Sequence, residues 1–249
     1  MTSGASINYG AFAARKGEWK GIAIASLVIG AWAGHLLFAL TQAEIFSFMT
    51  PVHIAVQSIL NVGLFITAHD AIHGTLAPGR RKLNDAFGRA ALFLYAAFDW
   101  ESTARLHHKH HEAPATTDDP DYKDGVNERF WPWIGAFAVR YYGWKNLAMM
   151  FLHVGAATII AQSYWKMLVF FAVPAWASAV QLFYFGVYLP HKTPPGGHYH
   201  PHRAVTVDLP EWLSFLTCFH FGYHEEHHDA PATPWWRLPA VRRAVKAAR

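Results

Sequence analysis

Three short stretches of this 249-residue sequence concentrate imidazoles at helical spacing: His69-Asp70-Ala71-Ile72-His73, His107-His108-Lys109-His110-His111 and His224-Glu225-Glu226-His227-His228. On a helix, residues three or four apart share a face, so each stretch presents a multidentate imidazole surface. The adjacent pairs add a second property. His110 and His111, like His227 and His228, would point about 100° apart. That is a poor chelate for one ion, but it reaches two ions side by side. Imidazole suits iron, copper and zinc, and the lone Cys218 provides no thiolate set for softer metals. The pattern points to a two-metal centre held by His69, His73, His107, His110, His111, His224, His227 and His228. His191, directly after an apolar run, is the ninth expected ligand.

A single H-x-x-x-H pattern is common by chance; three boxes in one chain are not explained by packing alone. The other histidines have different expectations. His108 lies off the face shared by His107 and His111, where solvent or a hydrogen bond suits it better than a metal. His220, one turn before His224, is a candidate either to ligate or to hydrogen-bond a ligand. His35, His53 and His153 fall in or beside apolar runs and are expected to bond between helices. His198, His200 and His202 alternate in a Pro/Gly-rich loop and are expected to be solvated, with weak metal binding as the alternative. Among the acids, Asp70, Asp118, Asp119 and Asp121 are candidates to orient an imidazole by hydrogen bonding. Solvation is the alternative for Asp70, and turn capping around Pro120 for the other three. Glu225 and Glu226 are expected to face away from the imidazoles, leaving the metals mainly neutral ligands.

These residues need elements to hold them, and the composition says what kind. Hydrophobic residues make up 53% of the chain and charged ones 15%, with a mean hydropathy of +0.09: too apolar for an ordinary soluble domain. Four runs, about 21–40, 51–68, 146–162 and 167–189, approach the ~20 residues that cross a bilayer core. Pro174 is expected to kink the last. The run 86–98 is too short to span and is expected to lie at the interface. Trp131, Trp133, Tyr141, Tyr142 and Trp144 would suit an interfacial aromatic belt. Of 21 Lys and Arg, only Lys166 would then face the far side, so both termini and all boxes are expected on the cytoplasmic side. Met1–Gly10 lacks a charged segment before an apolar one, so no cleaved signal is expected. The fold expected is a single all-α integral membrane domain over 1–249: four spans, interfacial helices and a histidine-rich cytoplasmic cap. The net charge of +4 is modest, fits membrane loops or an acidic partner, and argues little for nucleic acid.

With these residues in hand, the chain resembles the histidine-box membrane diiron desaturases and hydroxylases, and within them the bacterial β-carotene ketolases. The resemblance runs from about Phe65 to Pro239. It is carried by His69-Asp70-Ala71-Ile72-His73-Gly74, Asp118-Asp119-Pro120-Asp121, Leu189-Pro190-His191, Cys218-Phe219-His220-Phe221-Gly222-Tyr223-His224 with Glu226-His227-His228, and Pro234-Trp235-Trp236-Arg237-Leu238-Pro239. Some ketolases carry two glycines before the tyrosine of the third box. This chain has Gly222 alone, which counts against His220 as a ligand.

The resemblance implies two iron ions, dioxygen as co-substrate and electrons from an external, ferredoxin-like donor. It implies oxidation of the ring C4 methylene of β-carotene by two hydroxylations and loss of water, through echinenone to canthaxanthin, in a bacterial cytoplasmic membrane. So long and apolar a substrate should enter from the bilayer, with Phe65, Phe93, Tyr95, Phe98, Phe183, Tyr184 and Phe185 as candidate tunnel walls. A carotenoid hydroxylase or fatty-acid desaturase would use the same metal chemistry. A haem- or metal-binding membrane protein without catalysis is the rival from another class.

Overall fold

A computed structural model describes residues 7–122 and 128–248; Met1–Ser6, the start of the stretch expected to lack a signal, lies outside them. All regular structure among the described residues is helical. Four helices are long and apolar enough to cross a membrane: α1 (Lys20–Thr41), α2 (Thr50–Ile72), α6 (Trp144–Ala161) and α7 (Tyr164–His191). Between them lie α3 (Arg81–Ala96), α4 (Trp100–Glu112) and α5 (Phe130–Tyr141); after them come α8 (Glu211–Cys218), α9 (His224–Asp229) and α10 (Leu238–Ala248). The four apolar runs of the sequence are these long helices, each slightly longer than the runs alone indicate.

The long helices bury only part of their apolar surface against one another. Leu27, Leu37 and Phe38 on α1, Phe151, Leu152 and Ile159 on α6, and Trp165 and Trp176 on α7 stay exposed. Such wide apolar exposure is costly in water and natural in lipid. α2 is the central helix, packed on α1, α3 and α7. Its 23 residues extend about 35 Å at 1.5 Å per residue, so the turn carrying His69 emerges at one end of an apolar core ~30 Å thick. α3 seats against it through Gly88, where a Cβ would lie 2.1 Å from the Trp100 ring and 2.9 Å from the Ala71 Cβ.

α7 is not a uniform α-helix. It carries π-helical turns at Leu168–Ala172 and Tyr184–Tyr188, and Pro174 follows the first. A π turn inserts an extra residue and rotates everything after it. Here the second turn lies one residue short of Leu189-Pro190-His191 and brings His191 inward, where it is 1% exposed.

The aromatic belt expected between Trp131 and Trp144 needs correction. Trp131 and Trp144 are exposed, but Trp133 is 1% exposed and donates its indole N–H to the Asp121 carbonyl at 2.7 Å. Tyr142 donates to the Ala96 carbonyl at 2.5 Å and Tyr141 to the Asp121 carboxylate. Buried Tyr and Trp need hydrogen-bond partners, and these three find theirs in the protein rather than at a lipid headgroup. Of the intramembrane histidines, His35 and His53 bond between helices as expected, and His153 does not. His35 on α1 meets Gln57 at 2.6 Å and His53 at 3.2 Å, both on α2. His153 bonds its own helix at the Met149 carbonyl.

Candidate metal centre

Each imidazole stretch is a short piece of helix with a defined start. Asp99 caps α4 by accepting the Ser102 N–H at 2.8 Å, a contribution of about 1 kcal/mol. His107, His110 and His111 then follow on its later turns. α9 is only six residues long and is aimed by the turn before it. There Phe219 and His220 hold left-handed φ values of 50° and 63°, a strained choice for non-glycine residues. The reversal brings Phe221 against the His69 ring at 4.5 Å. It is possible because Gly186 has no Cβ: one would lie 2.7 Å from Phe221.

The nine imidazoles expected as ligands fall into two groups. Nitrogens of His69, His73, His107, His111 and His227 lie within 4.8 Å of one another, and so do those of His110, His191, His224 and His228. The adjacent pairs are split between the groups: His110 from His111, His227 from His228. The rings of His111 and His228 stack across the division at 4.3 Å.

Within each group the Nε2 atoms converge. His73 meets His107 at 2.8 Å and His111 meets His227 at 3.0 Å; His191 meets His224 at 2.9 Å, and His228 lies 3.2 Å from both His110 and His224. Ligand nitrogens ~2.0–2.1 Å from one ion and at right angles lie about 3 Å apart.

Proton positions make the same point. His191 Nδ1 donates to the Arg203 carbonyl at 3.1 Å and His224 Nδ1 to the Phe221 carbonyl at 3.3 Å. A carbonyl only accepts, so Nδ1 carries the proton and the neutral ring's Nε2 is bare. Two bare lone pairs therefore face each other at 2.9 Å, a repulsive contact that a cation between them converts into two bonds. In the other group, His69 Nε2 is buried without a hydrogen-bond partner. The donor set fits metal ions.

Electrostatics favours neutral rings throughout most of the cluster. Burial, reinforced by neighbouring imidazoles, pushes His107, His111, His224, His227 and His228 far down, and His73 to about 3. His110 is the exception. Burial alone would lower it, but the Asp121 and Asp119 carboxylates more than offset that and raise it. Both Asp119 oxygens face His110 Nδ1, at 2.9 and 3.0 Å. A carboxylate there fixes the tautomer and makes the opposite nitrogen a better ligand.

The structure separates the other candidates. Asp119 is 2% exposed and sits on His110, whereas Asp118 faces solvent on the outside of the same turn. Asp70 is buried, 3.7 Å from His69 Nδ1, and accepts the Trp235 N–H at 3.2 Å. His220 belongs to neither imidazole group; its ring stacks on Tyr223 at 5.7 Å and 12°. His108 is exposed, its ring 6.1 Å from His73. Glu226 points away from the imidazoles into a buried pair with Arg242 at 2.8 Å. Asp121, for which turn capping and imidazole orientation were both open, is 7% exposed and 3.8 Å from His110 Nδ1.

An apolar cavity of about 670 Å³ ends on His69, His107, His110 and His224. Its wall begins at Trp131 on α5 and Trp176 on α7, both exposed on the outer face, and continues inward past Phe137, Leu182 and Phe221. Of the expected wall residues, Phe65, Tyr95, Phe98 and Phe183 line it. Phe93, Tyr184 and Phe185 do not. Phe93 is 44% exposed on the outside of α3 against His153, and Tyr184 is 37% exposed beside the inward Phe183. Phe185 packs instead into the cluster around Phe219 and Phe221. Consecutive helical residues point about 100° apart, so Phe183, Tyr184 and Phe185 cannot share one wall.

The fatty acid desaturase family model matches residues 47–147 and 136–249, which takes in every imidazole of both groups. The chain belongs to the fatty acid desaturase family. Among characterised proteins it is 38% identical over 187 residues to a β-carotene ketolase of Paracoccus sp. (strain PC1), covering 74% of this chain and 75% of that protein. It is 35% identical over 254 residues to a β-carotene ketolase of Haematococcus lacustris, covering 90% and 79%. It is also 33% identical over 249 residues to a zeaxanthin 4-ketolase of Chlamydomonas reinhardtii, covering 94% of this chain and 55% of that one.

Proposed function

We propose that this protein is a β-carotene 4-ketolase: a membrane oxygenase that converts the C4 methylene of a β-ionone ring to a ketone. The observation that carries the reading is an apolar cavity running from the exposed side of α5 and α7 to the imidazole nitrogens. A long hydrocarbon dissolved in lipid needs such a passage, and the relatives' ketolase activity supplies the reaction class. Per ring, two oxygen molecules, four electrons and four protons convert CH₂ to C=O with release of three waters. The carbon passes through an alcohol and a geminal diol, and the diol loses water.

His69, His73, His107, His111 and His227 would hold one iron ion and His110, His191, His224 and His228 the other. Bound there, the irons would supply the reductive activation of dioxygen and the oxidant for C–H cleavage. The chain does the rest. Phe65, Tyr95, Phe98 and Phe183 sheathe the ring and exclude water, so the methylene is the group presented at the imidazole end. Asp119 keeps the proton on His110 Nδ1, and the Arg203 and Phe221 carbonyls do the same for His191 and His224.

We place the protein in the bacterial cytoplasmic membrane, with the metal centre and an acidic ferredoxin-like donor on the cytoplasmic side and 1–249 as one domain. In support, Lys166 bonds the Thr41 carbonyl at the membrane end opposite the imidazoles. The N-terminal segment is tied to the C-terminal part through Arg237, which donates to the Ala13 carbonyl at 2.7 Å.

The test is pigment analysis of a β-carotene-producing bacterium expressing the parent chain beside a His227→Ala variant. Echinenone and canthaxanthin from the parent and essentially none from the variant are expected. A ring alcohol or a new alkene as the sole product would replace the proposal with a carotenoid hydroxylase or a desaturase.

A further inference from the structure

Outside the two imidazole groups, a separate cluster of metal-ligating side chains lies on the outer face of α9. Ligand atoms of His200, Glu225 and Asp229 all fall within 4.8 Å of one another. His200 Nε2 is 3.2 Å from an Asp229 oxygen, and His202 Nε2 is 3.7 Å from the same oxygen. The other Asp229 oxygen accepts the Tyr9 hydroxyl at 3.0 Å. Of the two readings open for His200 and His202, solvation and weak metal binding, these contacts favour the second. The His200 and Asp229 side chains are only 21% and 19% exposed.

The cluster is chemically unlike the centre described above. Glu225 and Asp229 stand four residues apart on one helix face, where like charges repel. Asp229 also ends α9, where the helix dipole disfavours an anion. A cation would relieve both repulsions. Histidine nitrogen combined with two carboxylates is a mixed set suited to divalent first-row ions and indifferent to soft ones.

We propose that His200, Glu225 and Asp229, with His202 beside them, form a third, partly exposed binding site for a divalent transition cation. It is distinct from the two buried groups, with which it shares no residue. Its carboxylates and partial exposure make it weaker and faster to exchange than the all-imidazole sites. Its place is also specific. Asp229 directly follows His228, and the His202 ring stacks on His228 at 5.8 Å and 28°, so an exchangeable cation would rest beside a buried one.

The experiment uses purified full-length, iron-loaded protein in nanodiscs, titrated with Mn²⁺ while free Mn²⁺ is followed by its electron paramagnetic resonance signal. One Mn²⁺ per chain should bind without displacing iron, and Zn²⁺ should compete with it. His200→Phe, which keeps an aromatic ring in the loop, should weaken Mn²⁺ binding roughly tenfold or more, with iron per chain unchanged. Asp229→Asn should do the same; were it to lose iron as well, His200→Phe decides. Absence of Mn²⁺ binding to the parent at millimolar concentration overturns the proposal, as does unaltered binding to His200→Phe. Neither result depends on which pigment the enzyme makes.

Discussion

Asp119→Asn isolates the part of the centre that no ligand supplies. The Asp119 carboxylate accepts the Ala115 N–H at 2.7 Å on one oxygen, the Asp121 N–H at 2.8 Å on the other, and His110 Nδ1 between them. Asparagine keeps the shape but exchanges one oxygen for an NH₂. Whichever way the amide turns, a buried backbone N–H faces a donor, at about 1–3 kcal/mol. The bond to His110 falls from charge-assisted to neutral, losing about 1 kcal/mol more. The sum, about 2–4 kcal/mol, is within what a folded protein commonly survives. The consequence for the metal is separate: outer hydrogen bonds of this kind are worth roughly 10–100-fold in affinity, or about 1.4–2.8 kcal/mol.

The assay is iron per chain, measured on protein purified from membranes before and after a timed challenge with a chelator. Asp119→Asn should retain iron at purification, lose one ion much faster than the parent, and give less ketone in cells. Asp118→Asn, on the exposed side of the same turn, should match the parent in both. Equal iron retention by Asp119→Asn and the parent would refute the reasoning that this carboxylate conditions His110.

Three further outcomes follow from other contacts. Arg242→Ala leaves Glu226, 0% exposed, with only the Thr206 hydroxyl as a described partner; breaking a buried pair this way should cost about 3–5 kcal/mol and lower the melting temperature in detergent. His220 is pushed down to about 4 by burial, so the unfolded chain binds its proton more readily than the folded one. Its contribution is complete above about pH 6.5 and is lost as pH falls toward 4; His220→Phe should therefore make the melting temperature less sensitive to acid over that window while iron per chain stays the same. Ala179→Trp, in the outer wall of the cavity on α7, should block entry from the lipid: ketone formation falls sharply at unchanged iron content.

The long helices and the three boxes were legible in the sequence because each rests on a short-range rule. Twenty apolar residues span a bilayer whatever surrounds them, and histidines at helical spacing share a face. The split of His110-His111 and His227-His228 between two groups follows from the same 100° geometry. What was not legible depends on contacts between distant segments. Asp118 and Asp119 are interchangeable in sequence; only the turn at Thr116–Pro120 decides which oxygen pair reaches His110. Trp133 and Tyr141 read as members of an interfacial aromatic belt, yet both bond Asp121 across the site. Phe183, Tyr184 and Phe185 together read as wall residues, but three consecutive helical side chains point in different directions, and only Phe183 lines the cavity.

The strained turn at Phe219–His220 joins these observations. An undistorted α-helical path through Cys218 into α9 would carry His224 and His228 along the direction of α8. Two consecutive left-handed residues reverse the chain instead, and the Phe221 ring occupies the room left by Gly186. That ring lies against both His69 and His224, at 4.5 and 4.8 Å, and forms part of the cavity's inner wall. One side chain therefore sets the contact between two imidazole groups and the end of the hydrocarbon passage. The single glycine at Gly222 belongs to the same economy: its carbonyl accepts the Val207 N–H at 2.8 Å, anchoring the turn to the strand of chain that carries Arg203 and, through its carbonyl, His191. The arrangement of the imidazoles and the depth of the cavity are coupled through this turn, so a change that loosens Phe221 should alter both together.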